Sequence, residues 1–418
     1  MFKLVSYWEH FEGKMEDPDF ILEEESYRYD FYKKKGSEKC YSIQKGEKGY
    51  NISLSYFIGV DWIAENEKAI YVEPKLNKDA SQTNYLQMLF SALSHPEIVN
   101  YTAELFEIKW DKKYIEITQQ QDLITPLLVV QFLRVVQEIV RKGLKKSYYK
   151  VEKNLNSRVK GKILVGRTIK ENMFRNRPLR TLCSFDEFGV NGLENRLIKK
   201  ALVFIQRYLP TLKIPQSEKY TSEVFNYIMP AFEFVSDEIS INDIKHSKIN
   251  IFYKEYDEGI QLAKLILKRF GYNITNTQQS TILTPPFWID MSKLFELYVL
   301  GLLKDRFGNA VQYHFTTSWN ELDFLLNTDE YKMVIDAKYK TKYQTHYDIE
   351  DIRQVSGYAR LKSVYKELGM KENEVIDCLI IYPDQAMNYN NIKDSDLFKS
   401  PIDKFVHFYK APINLPVI

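Results

Sequence analysis

The segment from Glu321 to Tyr339 reads ELDFLLNTDEYKMVIDAKY, in which two apolar runs flank the polar stretch Asn327-Thr-Asp-Glu330. Apolar runs of this length on either side of a turn-forming stretch predict a β-hairpin. Side chains two residues apart on one strand leave the same face of a sheet, so Asp336 and Lys338 are expected on one face. The pairing within the hairpin decides which other side chains share that face.

The loop of the predicted hairpin sets the register of its two strands. We expect a loop of two or four residues centred on Thr328-Asp329, and either length places Asp323 opposite Val334. Glu321 then lies opposite Asp336, whereas an odd loop would turn Asp323 to the other face. The predicted patch consists of Glu321, Asp323, Asp336 and Lys338. Carboxylates crowded beside a lysine are typical of a site for a hard divalent cation.

The predicted elements around the hairpin describe an α/β domain with a mixed sheet. In chain order they are a helix at 290–307, strands at 310–316, 319–326 and 332–339, a helix at 348–368 and a strand at 375–382. The last strand is almost wholly apolar, as expected of a buried central strand. Upstream, Thr284-Pro285-Pro286 breaks the chain and indicates a domain boundary.

The chain has 418 residues, more than one ordinary core accommodates, so two or three domains are expected. Residues 1–190 are predicted to be β-rich, with helices at 81–93 and 126–144 and a strand at 108–118. Residues 191–285 are predicted to form a helical connecting region, with helices at 193–209 and 256–270. Residues 286–418 complete the chain as the α/β domain, so the expected class is a multidomain α+β and α/β protein.

Composition excludes several classes of protein. A formal net charge of +2 gives no sign of a nucleic-acid binder at the level of the whole chain, so such a surface must be local. Three widely spaced cysteines predict neither a disulfide framework nor a zinc site. The N-terminus lacks the apolar core of a signal peptide, and no apolar run is long enough for a bilayer. We therefore expect a cytoplasmic protein with no membrane partner.

A basic segment lies upstream, where Arg158, Lys160 and Lys162 alternate with small or apolar residues. This alternation predicts that the three cations share one strand face. The functional interpretation is a surface for phosphates or for an acidic partner. For this segment alone, a solvated strand face explains the pattern equally simply.

Glu296 is unusual because it lies within 291–303, a predicted helix that is apolar on nearly every side. Such a helix is buried, and a buried carboxylate is costly unless it is paired or bound to a metal. One interpretation is a structural partner for an Arg or Lys. The other is an acid that points from this helix at the acidic patch of the hairpin.

The following helix carries Asp351, Gln354 and Tyr358 at a spacing that puts them on one face. They could support the site or contact a phosphate, or they could form the polar edge of an amphipathic helix. We interpret His314 and His346, which lie near the motif in sequence, as ordinary histidines rather than ligands.

Together these residues resemble a known signature. Glu296, Asp323 and Asp336-Ala-Lys338 resemble the PD-(D/E)xK nuclease motif, with Leu322 in the place of the signature proline and Glu321 as an alternative ligand. The sequence also resembles the McrC subunit of McrBC-type restriction systems in the segments 295–299, 335–340 and 351–358, and upstream in 159–163 and 194–202.

The resemblance implies a DNA endonuclease subunit of an anti-phage restriction system. Mg²⁺, with Mn²⁺ as an alternative, would be held by Asp323, Asp336 and the carbonyl of Ala337, with Glu296 as a further ligand or water-mediated partner. Lys338 would help a water molecule to become the nucleophile. The partners would be double-stranded DNA and a hexameric McrB-like AAA+ GTPase docked on the region 1–190. No GxxxxGK[ST] motif occurs in the sequence, which agrees with a chain that binds no nucleotide and whose partner uses GTP.

Two other functions stay open at this point. One is a nuclease-silent adaptor that activates an AAA+ ring, and the other is a stand-alone nuclease acting on DNA or RNA.

Overall fold

In the computed structural model the described residues are 2–15, 27–34, 38–46, 49–74, 83–95, 97–98, 101–102, 105–118, 124–208, 217–240, 253–275, 281–317, 321–384 and 400–417. They fall into two compact units. The first combines Met1–Ile124, Ile214–Tyr220 and Ser280–Ile418, and the second combines Thr125–Lys213 and Thr221–Gln279. Both ends of the chain therefore belong to one unit.

The N-terminal part of the first unit is built mainly from strands. Its elements are β1 (Lys3–Trp8), β2 (Glu12–Lys14), β3 (Arg28–Tyr32), β4 (Lys39–Gly46), β5 (Gly49–Leu54), β6 (Phe57–Ala64), β7 (Lys68–Glu73), α1 (Tyr85–Ala92), β8 (Phe106–Ile108) and β9 (Ile115–Thr118). Antiparallel pairing joins four of them in the order β2-β5-β4-β3. Side chains of the two central strands, such as Ile43 of β4 and Ile52 of β5, are buried in the core of this part.

A strand from the C-terminal part of the chain completes a second N-terminal sheet. This strand, β14 (Phe287–Asp290), lies between β6 and β8 in the order β1-β7-β6-β14-β8. The division predicted at 190 and 285 therefore differs from the observed units, because one sheet takes strands from both ends of the chain.

Helices and a small sheet form the second unit. Its elements are α2 (Ile124–Lys142), β10 (Ser147–Asn156), β11 (Lys162–Ile163), α3 (Val165–Glu171), β12 (Arg180–Gly189), α4 (Leu193–Tyr208), most of α5 (Ser217–Ile228) and α6 (Lys254–Thr275). The helices predicted at 126–144, 193–209 and 256–270 are present as α2, α4 and α6. Tyr256 on α6 donates a hydrogen bond of 2.7 Å to Asn195 on α4, which ties these two helices together.

The predicted basic strand face is wrong in one respect. β10 ends at Asn156 and β11 holds only two residues, so Arg158 and Lys160 lie in the loop between the strands. Ser157 and Gly161 adopt φ values of 53° and 68°, which turn the chain on either side of that loop. The alternation of residue types therefore comes from a turning loop and not from a strand.

The C-terminal part of the first unit contains a mixed α/β layer. Its elements are β13 (Thr281–Thr284), β14, α7 (Met291–Phe307), β15 (Val311–Thr316), β16 (Glu321–Asn327), β17 (Lys332–Ala337), α8 (Ile349–Tyr358), α9 (Lys362–Leu368), β18 (Asp377–Pro383) and β19 (Phe408–Ile413). The sheet order is β15-β16-β17-β18-β19, antiparallel up to β17 and parallel beyond it. This is the mixed sheet that the sequence predicted, with β13 paired separately to β9.

Three local predictions need correction. The helix expected at 348–368 is two helices, because Leu361 adopts an extended backbone and packs against the core. The strand expected at 108–118 is interrupted by a turn in which Lys112 donates a backbone hydrogen bond to Lys109. Strand β19 had not been predicted at all. Among the described residues, no helix combines the length and the apolar character needed to cross a membrane.

Candidate active site

The hairpin β16–β17 forms with a register two residues away from the predicted one. Its loop is 328–331, since Asn327 pairs with Lys332 and Phe324 with Ile335. Continuing that register places Asp323, rather than Glu321, opposite Asp336. The loop is shifted because Thr328 closes the turn: its hydroxyl accepts a hydrogen bond of 2.7 Å from the Tyr331 amide. A shift of two preserves the faces, so the acidic patch survives.

Asp323 and Asp336 meet at the end of β17. The Ala337 amide donates a hydrogen bond of 2.9 Å to Oδ2 of Asp323, and Asp336 is only 1% exposed. Burial, followed by repulsion from Asp336, raises the pKa of Asp323 well above its ordinary value. Burial likewise raises the pKa of Asp336, against the attraction of Lys338. The two carboxyl groups therefore form a pocket in which negative charge is costly.

Lys338 points at the same pocket. Its Nζ lies 2.8 Å from Oδ2 of Asp336 and donates to Oε1 of Gln354 at 3.2 Å. Burial acts to lower the pKa of this lysine, but the ion pair with Asp336 leaves it raised. Gln354 in turn donates to the Tyr358 hydroxyl at 2.8 Å. The structure thus brings Gln354 and Tyr358 to the lysine, as one of the two interpretations of α8 predicted.

Asp351, predicted on the same face of α8, is used differently. It is buried, and it accepts hydrogen bonds from Lys340 at 2.8 Å and from the Tyr343 hydroxyl at 2.7 Å. These bonds tie the first turn of α8 to the segment after β17. His346 is exposed and contacts the Thr345 hydroxyl at 2.7 Å, so its interpretation as an ordinary histidine stands.

Glu296 enters the site from α7, whose first turn is capped by Asp290. Its Oε1 accepts hydrogen bonds from the Tyr313 hydroxyl at 2.7 Å and from Lys293 at 3.2 Å, and it contacts Nε2 of His314 at 2.8 Å. Burial opposes ionisation, but these three partners lower the pKa of Glu296 below its ordinary value. Glu296 is therefore a stabilised carboxylate with a lysine partner, and its charge also reaches Asp323 and Asp336.

His314, interpreted from the sequence as an ordinary histidine rather than a ligand, contacts residues of the candidate site. It contacts Glu296 through Nε2, and its Nδ1 pairs with Glu321, so Glu321 lies beside the histidine. The signal that could have found His314 was the register of β15 on β16. Tyr313 pairs with Phe324 and Phe315 with Leu322, which puts His314 in line with Asp323.

The donor atoms of Asp323, Asp336 and the Ala337 carbonyl fit a magnesium ion that takes few of its ligands from the protein. Within the described ranges, no three His, Cys, Asp or Glu side chains lie close enough to share a metal. Glu296, Asp323 and Asp336 therefore do not form a ready-made three-ligand cage. Two aspartates and the Ala337 carbonyl are hard oxygen donors, and Mg²⁺ commonly takes one or two carboxylates and fills its other positions with water and phosphate. A cation would also offset the charge that burial makes costly in Asp323 and Asp336.

In the second unit, the predicted basic surface is partly apolar. Arg158, Lys160 and Lys162 are all exposed, and Lys160 pairs with Glu187 at 3.3 Å while lying 4.1 Å from the ring centre of Phe185. Large apolar side chains are exposed in the same region of the chain: Tyr148, Val165, Phe174, Leu179 and Phe188. Contiguous exposed apolar patches commonly mark interaction sites.

Comparison with known proteins gives one family. The family model described as McrBC 5-methylcytosine restriction system component matches residues 55–383. The chain is also similar to the refined half-complex from the tetradecameric assembly of Thermococcus gammatolerans McrB AAA+ hexamers with bound McrC. That similarity has 14% identity and a TM-score of 0.38, and covers 99% of this chain and 94% of that one. For the cryo-EM structure of the Thermococcus gammatolerans McrBC complex, identity is 14%, the TM-score 0.28 and the coverage 72% and 87%. No curated protein matches.

Proposed function

The chain belongs to the family of McrBC 5-methylcytosine restriction system components, and on this premise we propose that it is the DNA-cleaving, McrC-like subunit of such a system. The observation that carries the proposal is the meeting of Asp323, Asp336 and Lys338 at the end of β17. The order of the elements from α7 to β18 supports a PD-(D/E)xK nuclease core, as the sequence motif implies.

In this proposal each residue has a separate task. Asp323, Asp336 and the Ala337 carbonyl hold Mg²⁺, or Mn²⁺ as an alternative, and the ion when bound supplies Lewis-acid chemistry for phosphodiester hydrolysis. Lys338, held by Asp336 and Gln354, orients the attacking water and offsets charge that develops on the phosphate.

The remaining residues of the site support these tasks. Glu296, kept ionised by its partners, accepts a hydrogen bond from water at the edge of the site. Tyr358 fixes Gln354, which in turn limits the movement of the lysine.

The proposed partner is a hexameric McrB-like AAA+ GTPase. The family description is that of a restriction system component, and the sequence lacks the GxxxxGK[ST] motif that would cradle a nucleotide. GTP hydrolysis and movement along double-stranded DNA would therefore come from the partner. The exposed basic and apolar surface around Arg158, Lys160 and Lys162 is the proposed docking surface.

An Asp336→Asn variant tests the nuclease proposal directly. The change keeps the volume of the side chain and removes one negative oxygen. We expect cleavage of methylated DNA, in the presence of the partner, GTP and Mg²⁺, to fall by about a thousandfold or more, since several kcal/mol of barrier depend on this group. Stimulation of the partner's GTPase should be unchanged, which shows that the variant is folded and docked.

A second function is favoured by a specific observation, the lack of a three-ligand cage among the described residues. A nuclease-silent adaptor would stimulate the partner's GTPase and leave DNA intact, and the same Asp336→Asn variant would then behave like the unaltered chain in every assay. Cleavage that persists in the variant contradicts the proposed active site. A stand-alone nuclease would cut DNA or RNA with Mg²⁺ alone, without partner or GTP.

A further inference from the structure

His314 has an unusual backbone conformation for its place in the fold. It lies inside β15, between two residues that pair regularly with β16, yet its φ is 53°. A residue with a side chain in this region is strained unless its surroundings hold it there. Such a conformation in the middle of a strand persists only if the contacts of the side chain stabilise it.

Those contacts join two carboxylates from different elements. Nε2 of His314 lies 2.8 Å from Glu296 of α7, and Nδ1 pairs with Glu321 of β16. The ring also stacks on Tyr313, with centroids 3.9 Å apart and an interplanar angle of 24°. Tyr313 itself donates to the same oxygen of Glu296. The imidazole is therefore fixed on both edges and on one face.

We propose that His314 is a positioning residue, which holds Glu296 in the orientation that the metal-dependent site requires. All the hydrogen bonds that Glu296 accepts from the described residues go to Oε1. Oε2 is thereby left to accept from water or from the hydration shell of a cation. This inference rests on the proposed function, because it assigns a task within that same site.

A positioning role makes a quantitative prediction for glycine at this position. His314→Gly permits the φ of 53° without strain and removes the imidazole, so it separates the backbone from the side chain. In the proposed function Glu296 is an outer-shell partner that reaches the cation through water, and losing such a partner typically weakens metal affinity or activity by about 10–100-fold. We expect the Mg²⁺ concentration for half-maximal DNA cleavage to rise by about that factor, in the full chain with partner and GTP. Titration calorimetry with Mn²⁺ should show a matching loss of affinity.

A double variant shows whether His314 acts through Glu296. If it does, His314→Gly should have little further effect in a chain that already carries Glu296→Gln. Independent effects that multiply in the double variant would overturn the positioning role. If His314→Gly fails to fold, His314→Asn replaces it, because asparagine tolerates positive φ and retains one donor.

The chain supplies a matched control in His407. It also has a φ of 53° and also pairs with an aspartate, through Nδ1 at 2.7 Å from Asp377. Asp377 lies opposite Met333, at the start of β17, whereas Asp336 lies near its end. His407→Gly should leave Mg²⁺ dependence and Mn²⁺ affinity unchanged.

The outcomes separate this inference from the proposed function. Unaltered metal dependence and affinity in His314→Gly, together with loss of cleavage in Asp336→Asn, would overturn the positioning role and leave the nuclease proposal intact. Cleavage that persists in Asp336→Asn would contradict the proposed function itself, and with it the positioning role of His314.

Discussion

Asp323 and Asp336 occupy positions that cost the folded chain stability. Both have raised pKa values, first because they are buried, so the negative charge of either carboxylate is disfavoured in the folded protein. Groups arranged for binding a cation commonly destabilise the protein that carries them. Substituting one of these two aspartates therefore tests metal binding without any measurement of cleavage.

Asp323→Asn should stabilise the metal-free protein and abolish its response to metal. An amide can still accept the Ala337 hydrogen bond but carries no charge to repel Asp336. In EDTA we expect a Tm about 1–2 °C above that of the unaltered chain, the effect of about 1 kcal/mol in a protein of this size. Millimolar Mg²⁺ should raise the Tm of the unaltered chain and not that of the variant. Equal Mg²⁺ shifts in both would exclude Asp323 as a ligand.

Asp290 gives a pH-dependent prediction for the start of α7. Burial raises the pKa of this helix cap from 3.8 to about 6, against the Lys293 amide and Lys33, which lower it. The folded state therefore binds a proton more tightly than the unfolded state. Its contribution to stability falls as pH rises from about 4 through about 6.

Asp290→Asn keeps a good capping side chain and removes the titration. We expect the free energy of unfolding of the variant, relative to the unaltered chain, to rise by about 2 kcal/mol between pH 4.5 and pH 7. Urea titrations at the two pH values measure this difference. A difference that does not change with pH would show that Asp290 does not titrate in this range.

At the scale of elements, local pattern predicted the hairpin and its neighbours well. The alternation of apolar and polar residues and the turn at Asn327–Glu330 sufficed for β16, β17 and their shared face. The register was missed because it depends on how the Thr328 side chain closes the turn. The contacts of His314 were not predicted for a related reason: they are made with Glu296 and Glu321, which lie on other elements and not in its own segment.

Other misses come from pairing between distant segments. Nothing within Phe287–Asp290 indicates that it lies between β6 and β8, because that pairing is set by surfaces more than a hundred residues away in the chain. The pairing of β19 with the buried strand β18 was likewise not predicted, because it depends on a segment elsewhere in the chain.

Gly59 is the residue that allows β14 to enter the N-terminal sheet. A Cβ at this position would lie 2.1 Å from the Phe287 carbonyl oxygen, and its φ of +145° disfavours any side chain. We expect Gly59→Ala to lower the free energy of unfolding by several kcal/mol, because backbone rather than a flexible side chain must move. Urea denaturation is the measurement.

Gly357 in α8 is the matched control, since nothing lies within 4 Å of a Cβ added there. Gly357→Ala should be neutral or stabilise the helix by up to about 1 kcal/mol. Comparable destabilisation by both substitutions would show that the close approach of β6 and β14 is not what makes Gly59 necessary.

Across the first unit, the N-terminal part also contacts the segment that carries the proposed active site. Tyr339, directly after Lys338, donates a hydrogen bond of 2.8 Å to the buried carboxylate of Glu9. Together with β14, this contact explains why 286–418 cannot be treated as an independent domain. Expressed alone, that fragment would lack the strands that flank β14 and the partner of Tyr339.

The path of the chain suggests how the first unit, apart from the short segment Ile214–Tyr220, can be obtained without the second. β9 and β13 are antiparallel neighbours, and Thr118 pairs directly with Thr281. The Thr281 hydroxyl also donates to Glu116 at 2.6 Å. Replacing 119–280 by an Asn-Gly turn would therefore join two strands that already pair, as in an ordinary two-residue hairpin.

We expect this shortened chain to fold with one cooperative transition, because both ends of the first unit and its shared sheet are retained. It should bind Mn²⁺ like the full chain, since Asp323 and Asp336 are unchanged. It should lose stimulation of the partner's GTPase, because the proposed docking surface around Lys160 is gone. Calorimetry and a GTPase assay measure the two properties separately. If the shortened chain is unfolded while the fragment 286–418, expressed alone, is folded, the shared sheet is contradicted. If the shortened chain still stimulates the partner's GTPase, docking belongs to the first unit.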